Sequence, residues 1–191
     1  MNAAEDKKEA VRKARAHLAK SPLYLDTETT GVRSTSEIVE ICIIDHDGSV
    51  LLDTLVKPHG LITPDAQRIH GITNTVVKDA PRWEQIWPEV EQILAGRHVG
   101  IFNADFDLRL MQQSHKASGL NWQPIGANAF CIMHLYAQFY GEWDQQRQAY
   151  RWQSLEKAGR RCSISLPNAH RARADTLLTR EVLSYMAAHE L

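Results

Sequence analysis

Cysteine is scarce. Cys42, Cys131 and Cys162 are the only three in 191 residues, odd in number and far apart. No close pair has the spacing of a zinc knuckle or a redox-active dithiol, so they read as reduced thiols of a cytoplasmic protein. Long apolar runs are missing as well. None reaches the roughly 18 residues that a membrane-spanning helix needs, and the N-terminus is too charged for a signal peptide. A soluble chain with no membrane partner is the expectation. Neither sign of charge dominates: 22 Lys and Arg against 23 Asp and Glu leave −1. That excludes a polycation binding nucleic acid by bulk charge, while a local basic patch stays open. There is no internal repeat, low-complexity tract or linker. With 43% hydrophobic residues, the simplest organisation is a basic helix over residues 1–20 packed on one domain spanning 21–191.

What is present centres on Leu23-Tyr24-Leu25-Asp26-Thr27-Glu28-Thr29-Thr30-Gly31. This is a short apolar strand ending in two carboxylates before a turn. Side chains alternate along a strand, so Asp26 and Glu28 face the same way. Two readings fit: a cation lies between them, for which oxygen-only ligands suit Mg²⁺ or Mn²⁺, or both acids solvate the strand end.

Around it, helix formers with a thin stripe of Val11, Ala14 and Leu18 predict a first helix stopped by Pro22. Its lysines and arginines fit a solvated outer face better than a nucleic-acid contact. Ile38–Ile44 reads as a strand buried on both faces, and Asp47-Gly48 turns the chain into a third strand, Val50–Val56. Thr63-Pro64 opens a short helix leading to His70. Trp83, Ile86, Trp87, Val90, Ile93 and Leu94 predict a helix kinked at Pro88. A strand over 98–102 hands over to a helix at Asn103-Ala104-Asp105-Phe106-Asp107. Neighbours two apart in a helical turn diverge by about 200°, so Asp105 and Asp107 cannot share a target and one is an exposed end charge. A helix over 130–140, a polar loop over 141–148, a short helix over 152–158 and a turn at Pro167-Asn168 precede the last helix, which carries Asp175.

Alternating elements after a three-strand start predict an α/β fold, a mixed central sheet flanked by helices, with sites gathering beyond the strand ends. Asp26, Glu28, Asp107 and Asp175 can then converge. His170 precedes Asp175 by five positions, about 140° around a continuous helix. On the loop before the helix it could lean over a cation and deprotonate water, as imidazole chemistry near neutrality suits. No serine or cysteine is placed as a covalent nucleophile.

Asp26-Thr27-Glu28-Thr29-Thr30-Gly31, Asn103-x-x-Phe106-Asp107 and His170-x₄-Asp175, in that order, resemble the three motifs of the DnaQ-like, or DEDDh, 3′–5′ exonuclease family. Ile69-His70-Gly71-Ile72 resembles a segment of its polymerase III epsilon-type members. The resemblance implies a ribonuclease H-like fold and two divalent cations. Asp26, Glu28 and Asp175 would hold one; Asp26 would share the second, supported by Asp107 through water. It further implies that His170 activates water and that Thr29, His70 and Asn103 position the terminal nucleotide. Asp105 departs from the family pattern and is expected to face solvent. The match is loose over 140–167. Between Gln145 and Arg173 lie seven Lys and Arg against one acid, a basic approach for phosphate or a solvated face.

The expected activity is metal-dependent removal of nucleotides from the 3′ end of single-stranded DNA, releasing 5′-mononucleotides. RNA trimming is the alternative, since the same side chains serve either sugar, and a catalytically idle nucleic-acid or protein-binding module is a third. Single-stranded DNA or RNA 3′ ends are the expected partners, with a DNA polymerase possible. The lack of an attached polymerase domain or C-terminal tail favours a free-standing enzyme.

Overall fold

The computed structural model describes residues 3–123, 127–164 and 170–190. Its centre is a five-stranded sheet in the order β3-β2-β1-β4-β5. β1 (Leu23–Thr29) pairs antiparallel with β2 (Ile38–Ile44), which pairs antiparallel with β3 (Val50–Leu55). On its other side β1 runs parallel to β4 (His98–Ile101), and β4 to β5 (Asn128–Cys131). The sheet is mixed, as expected. All seven residues of β2 are buried, as a strand covered on both faces requires.

Helices cover the two faces. α1 (Ala3–Leu18), α5 (Ile132–Tyr140), α6 (Leu155–Arg161) and α7 (Ala172–Ala188) pack around Tyr24, Cys42 and Ile44. α3 (Trp83–Leu94) and α4 (Ala104–Ala117) pack around Leu23, Leu25, Ile41 and Ile43. Strand parity decides which residue meets which layer. Even-numbered residues of β1 face α7, and odd-numbered ones face α4. α1 docks through Ala10, Val11 and Ala14, all buried, while its charges stay at the surface. α2 (Pro64–His70) is capped by Thr63, whose side chain accepts the Ala66 N–H, and it ends in Gly71 at φ 74°, a left-handed position that glycine occupies without strain.

Four local expectations are corrected. β1 continues to Thr29, so Asp26 and Glu28 lie within the strand instead of at its end. The helix expected from Phe130 starts at Ile132, and Asn128–Cys131 forms an edge strand. These four residues do not alternate, and the open side of β4 supplies the pairing that no local pattern announces. The polar loop holds a small hairpin, β6 (Trp143–Asp144) with β7 (Ala149–Tyr150). The short helix begins after Trp152, at Leu155 with Ser154 as N-cap, and runs through Gly159 to Arg161. Gly159 is needed for close approach: a Cβ there would lie 2.8 Å from Leu178 Cδ1 of α7. The turn expected at Pro167-Asn168 lies outside the described residues. Among the described residues no helix is long and apolar enough to cross a membrane.

Candidate active site

Even parity carries Asp26 and Glu28 to the α7 face of β1, where the first turn of α7 presents Asp175. One carboxylate oxygen from each of the three lies within 4.8 Å of the others. Odd parity sends Thr27 to the opposite face, and its hydroxyl donates to Asp107 Oδ1 of α4 at 2.7 Å. Asp107 is buried, only 3% exposed, whereas Asp105 is exposed. The two acids of the second motif therefore divide as helical geometry demands.

Asp107 is not part of that three-oxygen group, but its charge still bears on Asp26 and Glu28. Burial raises the Asp26 carboxyl well above the ordinary range, and the charges of Asp107, Asp175, Glu28 and Glu40 add to it. Burial and then Asp175 push Glu28 up to about 8. Asp107 is pushed up to about 7 by burial, against the opposing Thr27 hydrogen bond. Asp175 is also raised by burial. The set is all oxygen, hard and mutually repulsive, and a small divalent cation would relieve that repulsion; on these grounds the residues fit Mg²⁺ or Mn²⁺.

His170 lies outside α7 on the preceding loop, with an exposed ring and a left-handed backbone at φ 67°. Its backbone N–H donates to Asp175 Oδ2 at 3.2 Å. The rare conformation is thereby tied to a candidate ligand, the kind of strain that functional sites retain.

On the α2–α4 side of the carboxylates opens a cavity of about 640 Å³, lined by Glu28, Thr29, Val32, Ile69, His70 and Phe106 among others. Thr29 Oγ1 donates to the Gly31 carbonyl at 2.7 Å. The ring nitrogens of His70 are both engaged by backbone: Nδ1 accepts the Ile72 N–H at 3.0 Å, which leaves Nε2–H to donate to the Thr29 carbonyl at 3.1 Å. Burial lowers its pKa, in keeping with a neutral ring. Asn103 does not line the cavity. It caps α4 with a left-handed backbone, φ 81°, and accepts the Phe106 N–H on its carbonyl at 2.9 Å.

Glu40 was not singled out by sequence. It sits directly opposite Glu28 in the β1–β2 ladder and is 4% exposed. Its carboxylate takes the Arg171 guanidinium in a fork and accepts the Ala172 N–H at 2.9 Å. The available signal was a lone charge inside an otherwise apolar strand. The same pair reduces the expected basic approach. Of its seven cations, Arg151, Arg160, Arg171 and Arg173 bind acids, and Arg161 donates to Gln153 and covers Tyr140.

A half-buried carboxylate cluster on the middle strand of such a sheet, closed by the last helix, defines a nuclease of the ribonuclease H-like class. Residues 23–183 match the RNase_T exonuclease family model, and the chain belongs to that family. It is 37% identical over 181 residues to a protein of Escherichia phage 186 described as an uncharacterized exonuclease, covering 92% of this chain and 93% of that one. It is 29% identical over 121 residues to DNA polymerase III subunit epsilon of Pasteurella multocida, 58% of this chain and 47% of the relative. Among solved structures, exonuclease X in complex with 5′ overhanging duplex DNA superposes with a TM-score of 0.63 at 26% identity, covering 86% of this chain and 90% of that one. Exonuclease I shares the fold at TM-score 0.68 and 16% identity, over 87% of this chain and 43% of the neighbour. The DnaQ-like resemblance and the α/β, ribonuclease H-like expectation both hold.

Proposed function

We propose that the chain is a DEDDh-type 3′–5′ exonuclease that shortens single-stranded DNA and releases 5′-mononucleotides. The observation that carries this reading is the meeting of Asp26, Glu28 and Asp175 oxygens within 4.8 Å, beside a cavity large enough for one nucleoside. DNA is favoured over RNA because the exonuclease X neighbour holds DNA. The epsilon-subunit relatives make a DNA polymerase the partner class to test.

Two divalent cations, Mg²⁺ or Mn²⁺, held by Asp26, Glu28, Asp107 and Asp175 would supply the Lewis acidity that offsets phosphate charge and acidifies water. The cavity receives the terminal nucleoside, with Phe106, Val32 and Ile69 against the base. Thr29 and His70 shape its floor, and His70 acts by fixing the Thr29 backbone instead of donating to substrate. Asn103 acts one step back, by starting the helix that carries Asp107. His170 accepts a proton from the attacking water. The water oxygen bonds to phosphorus, the P–O3′ bond breaks, and the departing 3′ oxygen takes a proton from solvent.

The test is hydrolysis of 5′-labelled single-stranded oligomers, deoxyribo- and ribo-, in Mg²⁺, Mn²⁺ or EDTA. A cation-dependent ladder that recedes from the 3′ end, faster for DNA, is expected. His170→Ala should lower kcat about 10²- to 10⁴-fold with KM little changed. A ladder that persists in EDTA, or shortening from the 5′ end, rules the reading out.

A further inference from the structure

Trp152 is the one exposed tryptophan of the five, at 63% exposure. Its ring lies on the exposed His134 ring, centroids 5.4 Å apart and planes tilted by 34°. The chain on both sides is anchored. Arg151 N–H donates to the Glu142 carbonyl at 2.8 Å, Gln153 is buried, and Ser154 caps α6 by accepting the Lys157 N–H. The indole is held outward by ordered structure, leaving an aromatic face open to water.

Its place relative to the carboxylates follows from strand register. Leu25 pairs with Ile101, and Ile101 with Cys131. Two strand spacings, about 10 Å, therefore separate Cys131 from the residue that precedes Asp26. His134 is in the first turn of α5, three residues beyond Cys131 and at the same sheet end. α6, which Trp152 introduces, packs Gly159 against Leu178, three residues beyond Asp175 on α7. The aromatic pair thus sits on the α5–α7 side of the carboxylates. The cavity sits on the opposite, α2–α4 side. On α6, Arg161 donates to Gln153, next to Trp152 in the chain, and lies over Tyr140 of α5.

We propose that Trp152, backed by His134, is a stacking platform for a base of single-stranded DNA on the 5′ side of the scissile phosphate. This deepens the exonuclease reading and rests on it. With the 3′ nucleoside in the cavity and the phosphate at the carboxylates, the next nucleotide or two run across the ends of β4 and β5 to the indole. Any base offers a face, so the contact holds substrate without reading its sequence.

Two substrates separate this subsite from the site beside it: a single-stranded decadeoxynucleotide, and the p-nitrophenyl ester of thymidine 5′-monophosphate, which reaches only the cavity and carboxylates. In Trp152→Ala the ratio of kcat/KM for decamer over ester should fall about 5- to 100-fold through the KM for decamer, and Trp152→Phe should keep most of it. Decamer added in EDTA should quench tryptophan emission in the wild type and not in Trp152→Phe. An unchanged ratio in Trp152→Ala, or equal losses in the Ala and Phe variants, overturns the platform while leaving the exonuclease standing. Hydrolysis of neither substrate by the wild type overturns both.

Discussion

Asp26 is under electrostatic strain: its carboxyl is partly withdrawn from water, and the charges of Asp107, Asp175, Glu28 and Glu40 all disfavour its ionisation. A bound cation would relieve this cost, and a neutral isostere would relieve it without one. Asp26→Asn should therefore raise the melting temperature in EDTA by a few degrees, about the effect of 1 kcal/mol, while hydrolysis drops to background. Calorimetry and the oligomer assay read the two effects on one preparation. A variant that melts lower than wild type would mean that Asp26 is held by hydrogen bonds and not strained by charge. The shared face of Asp26 and Glu28 was legible in sequence because strand parity is local: i and i+2 point the same way whatever the remaining chain does. His70 was half legible. Its segment marked a place beside the cavity, but only three-dimensional contacts reveal that both ring nitrogens serve backbone groups.

At the scale of elements, the Glu40–Arg171 fork joins β2 to the entry of α7, across 131 positions of sequence. No local pattern marks a contact at that separation, which is why Arg171 read only as one cation of a basic segment, an approach for phosphate or a solvated face. The fork offsets two carboxylates set opposite each other, Glu28 and Glu40, an arrangement unfavourable by itself. Glu40→Gln would release the Arg171 charge beside Glu28, where it competes with a divalent cation. The Mg²⁺ concentration for half-maximal hydrolysis should rise several-fold, and stability should fall by about 1–3 kcal/mol. Glu40→Gln combined with Arg171→Gln should recover the cation requirement without recovering stability. If the single variant keeps the wild-type Mg²⁺ dependence, Arg171 does not act on the site. Element boundaries were misread where tertiary partners decide them. β5 exists because β4 has a free side, and the position of α6 follows from Gly159 fitting under Leu178. α3, whose apolar residues recur at helical spacing from Trp83 to Leu94, was legible end to end.

For the whole molecule these shifts set a stability profile with a sign on each side. Glu28 and Asp107 titrate near 8 and near 7 in the fold, against an unfolded value of about 4. Between those limits the native state holds protons that the unfolded chain has released, so without a divalent cation this contribution to stability declines as pH rises from about 4 to about 8. Histidines impose the opposite slope on the acid side. Burial takes His17 down to about 4, with the charge of His98 adding to it, and lowers His70, His98 and His115. Their protonation in the unfolded chain erodes stability as pH falls below about 6.5. The two slopes oppose each other between about pH 4 and about 6.5; above about 6.5 only the carboxyl contribution remains, so the cation-free protein should lose stability from about pH 6.5 to about 8. Bound Mg²⁺ needs ionised carboxylates, so its stabilisation grows as they deprotonate. Melting curves at about pH 6 and about pH 8.5, in EDTA and in Mg²⁺, should show the larger Mg²⁺-induced rise at the alkaline value. The same rise at both would mean that cation binding does not displace protons from this cluster, and that Asp26, Glu28 and Asp175 are not its ligands.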